Sequence, residues 1–325
     1  MSFKLAKYIE PDFTEERFVN APDAKLVLAP HAKAAPVGFH ATSIFPEYFK
    51  IEGKWHLAED SRMDAVPIWD GEKIRVVEFR NIREGDLVVV GRTEDGSEGI
   101  YVHDECWKKD KDEDESKNTF AFRQSRSRET SFTQDYEDLV RLLKHEKASG
   151  GYVVWGLGPA CSFDVEARRV MGELIAKGYC QALLAGNALA THDLEGAYLG
   201  TALGCDIKNQ KLHFMGHYNH LDTINAINTY GSIPEFIKGE GIDNGIIYNC
   251  VKHRVPFVPN GSIRDDGPLP EVIGYAYEGQ SAMRGMVKKA TTVICLATML
   301  HTIATGNMTP SYRVLEDGTV RPVFL

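Results

Sequence analysis

Tyr152-Val153-Val154-Trp155-Gly156-Leu157-Gly158-Pro159-Ala160-Cys161 is a β-branched and aromatic run that breaks into a glycine and proline turn. Such a run reads as a buried strand, and the helical stretch 164–177 that follows makes it the first half of a βαβ unit. The pair Gly156 and Gly158 begins like a dinucleotide-binding turn, with the next helix N-terminus placed to hold phosphate. Cys161 stands where that motif carries its third glycine, so the motif alone is weak. The same grammar recurs down the chain. Residues 181–185 form the return strand and end in Gly186-Asn187-Ala188. Residues 245–248 and 256–258 read as further strands, and 292–297 is a continuous apolar run ending in Thr298-Met299-Leu300-His301. Apolar strands alternating with helical stretches predict an α/β fold on a parallel sheet.

Polar groups gather after these strands. Val258-Pro259-Asn260-Gly261-Ser262-Ile263-Arg264-Asp265-Asp266-Gly267-Pro268-Leu269-Pro270 sets two carboxylates, a guanidinium, an amide and a hydroxyl among glycines and prolines. Those residues restrict the backbone and hold the polar groups in place. Open α/β sheets bind ligands at the carboxyl ends of their strands, which makes this loop a candidate site as well as a solvated turn. Between the second and third of these regions lies a helical insert, 221–237, interrupted by Pro234. His213, His217 and His220 precede it with Asn219. Gly216 breaks any helix through them and no thiol or carboxylate is near in sequence, so they read as a substrate-facing loop and no metal is expected.

The first 117 residues have another character. Short β-branched segments at 25–29, 65–69, 73–79 and 86–90, separated by turns such as Asp70-Gly71, predict a small β domain. Lys108 to Lys117 has no apolar residue and reads as a solvated linker, giving a division into a β-rich domain 1–125 and an α/β domain 126–325. A net charge of -9 argues against nucleic acid and anionic membrane as partners. No apolar run reaches the roughly 18 residues of a membrane span and the N-terminus has no signal-peptide core, so the expected location is cytoplasmic. Six scattered cysteines without a Cys-x-x-Cys pair fit reduced thiols.

Three blocks carry a family resemblance: Gly186-Asn187-Ala188-Leu189-Ala190-Thr191-His192-Asp193-Leu194-Glu195, the loop from Gly261 to Pro270, and Leu296-Ala297-Thr298-Met299-Leu300-His301-Thr302. Long and in order, they resemble the signature blocks of the archaeal-type ornithine cyclodeaminases, a group related to lysine-ketoglutarate reductase/saccharopine dehydrogenase and to the C-terminal part of arginine dihydrolases. The resemblance covers most of the chain, from about residue 36 to residue 310. It implies a Rossmann-like sheet of the deoxyhypusine synthase kind, an appended β domain and tightly held NAD. Matching family positions give Asn187, Ala188, Asp266, Thr298, Met299, Leu300 and His301 as cofactor contacts, to which the glycine turn adds Gly158. The implied activity is that of an ammonia-lyase: NAD takes hydride from Cα of L-ornithine, the δ-amine closes on the imine with loss of ammonia, and hydride returns to give L-proline.

For that chemistry Asp265, Asp266 and His301 are the candidates to pass protons, with Cys250 an outlying one that reads more readily as a buried small hydrophobe. Arg264 either clamps the α-carboxylate or pairs with a neighbouring aspartate. Asn260, His217 and His220 are expected to face the substrate. A related NAD-dependent deaminase or imine reductase, and a partner-dependent or non-catalytic subunit, stay open as alternatives. Partners are expected to be an amino acid and further copies of the chain. The apolar end, Val323-Phe324-Leu325, adds the expectation that a second subunit covers it and completes the cofactor site.

Overall fold

The structure, a computed structural model, describes residues 3–108, 133–265 and 267–325; most of the expected linker, the 125/126 division and Asp266 lie outside the described residues. Two compact units are present, Met1–Ala148 with Pro310–Val323 and Ser149–Thr309 with Phe324–Leu325.

The first unit holds the short helix α1 (Glu16–Val19) and the strands β1 (Lys25–Leu28), β2 (Glu47–Ile51), β3 (Lys54–Leu57), β4 (Val66–Trp69), β5 (Ile74–Val77), β6 (Leu87–Val90) and β7 (Ile100–Val102), followed by α2 (Thr133–Ala148). They form two antiparallel sheets, ordered β1-β6-β4-β5 and β3-β2-β7. Phe49, Trp69, Val89 and Ile100 meet in their common core. The sequence pattern marks β1 and β4 to β6 but hides β2, whose Glu47 and Lys50 are both buried. Each has hydrogen-bonding partners. Glu47 meets His40 Nε2 at 3.0 Å, and Lys50 Nζ donates to the carbonyls of Phe18, Val19 and Ala21 at 3.1, 2.8 and 2.7 Å, closing the end of α1.

The second unit runs β8 (Val153–Leu157), α3 (Val165–Ala176), β9 (Ala182–Gly186), α4 (Asn187–Tyr198), β10 (Thr201–Ala202), β11 (Cys205–Asp206), α5 (Asn219–Tyr230), α6 (Ile233–Gly239), α7 (Ile246–His253), β12 (Phe257–Asn260), α8 (Ala276–Val287), β13 (Thr292–Leu296) and α9 (Leu300–Met308). Its main sheet is parallel, in the order β12-β9-β8-β13. Numbered along the chain that is third, second, first, fourth, which is the Rossmann order with its reversal between β8 and β13. Val154, Leu184, Val258 and Val293 come from the four strands into one core, closed by Met283 and Val287 of α8.

Residues 245–248, expected as a strand, instead open α7. Ile246, Ile247 and Cys250 make one buried helical face, and a β-branched run this short does not separate the two periods. The insert is two helices because Pro234 sits in the first turn of α6, capped by Ser232 Oγ accepting from Glu235 N at 3.2 Å.

The chain closes with a hairpin, β14 (Tyr312–Val314) and β15 (Val320–Pro322), that belongs to the first unit. Tyr312 is fully buried there with its hydroxyl on the Ala58 carbonyl, and Arg321 Nη2 donates to Glu146 of α2 at 2.6 Å. Phe324 then adds a one-residue parallel bridge at the free edge of β13, accepting from Val293 N at 2.7 Å. Val323 and Phe324 are half-buried and Leu325 is exposed, at 60%. Among the described residues no helix is long and apolar enough to cross a membrane.

Candidate active site

Strand order places the site. Where a parallel sheet reverses its winding, the loops leaving neighbouring strands diverge and open a crevice at the carboxyl edge. Here that point lies between β8 and β13, followed by Gly158 and by Ala297-Thr298-Met299. The two turns touch: Gly158 N donates to Leu296 O at 2.8 Å, and a Cβ on Gly158 would stand 1.8 Å from Ala297 O. Ala297 itself is held at φ 58, a left-handed conformation that costs a non-glycine residue energy and collects at functional turns. Gly158 is therefore required by close backbone packing at the reversal.

The neighbouring strand ends bring in the amides and the histidine. Asn187 opens α4 directly after β9, buried; its Nδ2 donates to Gly267 O at 3.2 Å and its Oδ1 accepts from Leu269 N at 3.1 Å. It ties the end of β9 to the loop after β12. His301, in the first turn of α9, reaches to Gly186, where an added Cβ would lie 3.1 Å from its Cε1. Burial lowers the His301 pKa below its ordinary value, and the charge of Asp265 opposes that only in part. Asp265 is braced by Ser262, whose N donates to it at 2.6 Å and whose Oγ donates at 3.3 Å.

Asn260 closes β12 with its Oδ1 buried and without a partner among the described residues. It presses on α8 at Gly279, where a Cβ would stand 2.1 Å from that oxygen. Two substitutions in this helix are expected to act in opposite directions. Gly285→Ala meets nothing within 4 Å and should stabilise by about 0.5–1 kcal/mol through helix propensity. Gly279→Ala must displace Asn260 and should destabilise by about 1–3 kcal/mol; urea unfolding of the two variants checks the sign of each.

Other expected site residues are distributed differently. Thr298 is half-buried, its carbonyl accepting from Thr302 Oγ1, Met299 is 81% exposed, and Ala188 lies half-buried in the first turn of α4; the side chain of Leu300 lies outside the described ones. Arg264 is exposed and makes no ion pair with Asp265, while Asp266, its other expected partner, lies outside the described residues. His217 is exposed against Tyr218, whereas His220 is half-buried with Nδ1 unpartnered among the described residues. Cys250 is not in the site. It is wholly buried in α7, which packs on α3, and burial pushes its thiol well above the ordinary range, so it has the character of a small hydrophobe. The helix N-terminus of α3, expected to hold phosphate, is already taken by Asp164, which accepts from Ala167 N at 2.8 Å. α4 and α9, which start at the strand ends, carry no side-chain cap.

The sequence reading missed a buried network one turn into α4. Glu195 accepts from His192 Nδ1 at 2.9 Å, Thr201 Oγ1 at 2.7 Å, and the backbone N of Leu203 and Gly204, both at 3.1 Å. Burial alone would raise the Glu195 pKa; these hydrogen bonds outweigh it and hold the carboxyl below its ordinary value. The available signal was His192-x-x-Glu195, a spacing that shares one helix face.

Residues 137–316 match the family described as arginine dihydrolase ArgZ-like, C-terminal, Rossmann fold. The chain is 40% identical over 286 residues to an ornithine cyclodeaminase of Methanocaldococcus jannaschii, covering 85% of this chain and 65% of that protein. It therefore spans about two thirds of the length of that relative. A crystal structure of a conserved putative LOR/SDH protein from Methanococcus maripaludis superposes with a TM-score of 0.79 at 34% identity, covering 89% of this chain and 85% of the other. The ternary complex of AgrE with ornithine and NAD+ gives a TM-score of 0.52 at 31% identity, over 90% of this chain and 40% of that one. With a Rossmann sheet, a site at its reversal and a family match over more than half its length, the chain belongs to the family of ArgZ-like C-terminal Rossmann domains and is a homologue of the archaeal ornithine cyclodeaminases.

Proposed function

We propose that this chain catalyses the redox-neutral, NAD-dependent conversion of L-ornithine to L-proline and ammonia. The observation that carries the reading is the meeting of His301, Gly186 and Asn187 at the carboxyl edge, beside the loop bearing Asp265, in the fold of a relative crystallised with both ornithine and NAD+. The residues fit a dinucleotide. Among the described residues two helices start uncapped at the strand ends, where their first N–H groups can receive phosphate oxygens, and Asn260 keeps a buried acceptor without a partner. Gly158, Asn187, Ala188, Asp266, Thr298, Met299, Leu300 and His301 would hold the cofactor. When bound, NAD supplies the temporary removal of hydride from Cα and its return.

The chain's own groups handle binding and protons. Arg264, exposed at the tip of the loop, receives the α-carboxylate as a two-pronged donor. His301, kept neutral by burial, has a lone pair for a substrate ammonium proton, and Asp265 stabilises the imidazolium that results. Asp266 would repel a 2′-phosphate lying beside it, so NAD is expected to bind in preference to NADP. Calorimetry with both nucleotides checks this; equal or stronger NADP binding would reject it.

Ornithine deuterated at Cα tests the reaction itself. Return of the label to Cα of proline, with no net reduction of NAD, is the expected result. Quantitative loss of deuterium to solvent, or stoichiometric formation of NADH, would favour an ordinary deaminating dehydrogenase on the same scaffold.

A further inference from the structure

Cyclisation sets a proton problem. The monocation of ornithine becomes proline zwitterion plus ammonium, so no proton is gained or lost overall. The δ-ammonium must nevertheless give one up before its nitrogen bonds to Cα, and the α-nitrogen must take one up before its bond to Cα breaks. The two electrons that leave Cα as hydride return to it. A group that accepts a proton at one nitrogen and releases it at the other is needed beyond the hydride site.

His192 and His220 stand in a position to do this. Four donors fill both oxygens of Glu195, and because that carboxylate only accepts, His192 Nδ1 carries the hydrogen between them. The tautomer is thereby fixed with Nε2 as the basic atom, for which no partner is found among the described residues. The ring of His220, from α5, lies 6.3 Å from the His192 ring between centroids, and Phe163 packs edge-on against His192 at 5.7 Å. His220 Nδ1 is buried and without a partner among the described residues. The network is braced onto α5 by Asn219, whose Nδ2 donates to Thr201 Oγ1 at 2.9 Å.

This pair adjoins the candidate site. His220 shares a face of α5 with Ile224, one turn on, and Ile224 Cγ2 lies 3.2 Å from a Cβ placed on Gly267, the residue whose carbonyl Asn187 binds. The other charged neighbour in α4, Asp193, is turned to Arg168. We propose that His192 and His220 form a two-histidine proton relay for the substrate amines, with Glu195 as the positioning residue that fixes the His192 tautomer. The assignment rests on the ornithine reading above.

His192→Asn keeps a donor toward Glu195 and removes the titrating ring; His220→Gln removes the second ring. In the full chain each should lower kcat about 100-fold while KM for ornithine and NAD affinity by calorimetry stay within about twofold. The solvent deuterium isotope effect on kcat should rise, and the double variant should be no slower than the slower single variant, because the two act as a unit. A kcat within about twofold of wild type, multiplicative losses in the double variant, or parallel losses of NAD affinity and melting temperature would each overturn the relay. A wild-type chain that binds NAD but releases no ammonia from ornithine would overturn the proposed reaction, and the relay with it.

Discussion

Gly158→Ala is expected to lower activity by about 10²-fold or more, the effect of displacing reacting groups by an ångström. The residue sits at φ -87 and ψ 165, angles that any amino acid adopts, so the backbone itself accepts alanine. The obstacle is the Ala297 carbonyl 1.8 Å from the new methyl group. Relief requires the turns after β8 and β13 to part, which breaks the hydrogen bond from Gly158 N to Leu296 O and moves Thr298, Met299 and His301 away from the end of β9. NAD affinity, measured by calorimetry, should fall together with kcat, and overpacking should cost about 1–3 kcal/mol of stability. Wild-type affinity in this variant would show that the junction is not part of the cofactor site.

Asp193→Ala is expected to be the most destabilising single change in the second unit, by about 3–5 kcal/mol. Arg168 and Asp193 are almost entirely enclosed, with Nε donating to Oδ1 at 2.8 Å and Nη2 donating to the Asp193 carbonyl at 2.8 Å. Asp193 Oδ2 also accepts from Ile247 N at 2.8 Å, so the carboxylate joins α3, α4 and the start of α7. Gly245, at φ 110, permits this because a Cβ there would stand 2.7 Å from Arg168 Nη2 and 2.8 Å from Asp193 Oδ2. Removing the carboxylate leaves the Arg168 charge buried without its counter-ion and takes the acceptor from Arg168 Nε and from Ile247 N, while Nη2 keeps the backbone carbonyl. Guanidinium chloride unfolding should show a lower midpoint, and replacing both partners with apolar residues, Arg168→Met with Asp193→Leu, should recover much of the loss. A double variant as unstable as the single one would mean that packing, not the stranded charge, sets the cost.

By itself, the sequence determined the parallel sheet and the loops that would carry chemistry. Runs such as Val153-Val154-Trp155 and Ala182-Leu183-Leu184-Ala185 are apolar without interruption because both faces of a central parallel strand are covered, and this is legible without coordinates. The polar residues just beyond them, Asn187, Asn260, Asp265 and His301, follow directly from where those strands stop. Tertiary structure decided three things that local pattern does not carry. Charged residues in β2 read as surface because their hydrogen-bonding partners, His40 for Glu47 and the carbonyls at the end of α1 for Lys50, lie outside the strand and reach it only through folding. Residues 245–248 became a helix because four residues fit either period, and only the buried face they share with Cys250 selects one. His192 and Glu195 became a pair facing His220 because α4 and α5 pack together across a hairpin, a contact whose partners lie 28 positions apart in the sequence. A side chain's ionisation and hydrogen-bond partners depend on what folding places around it, and residue order fixes that only through the completed packing.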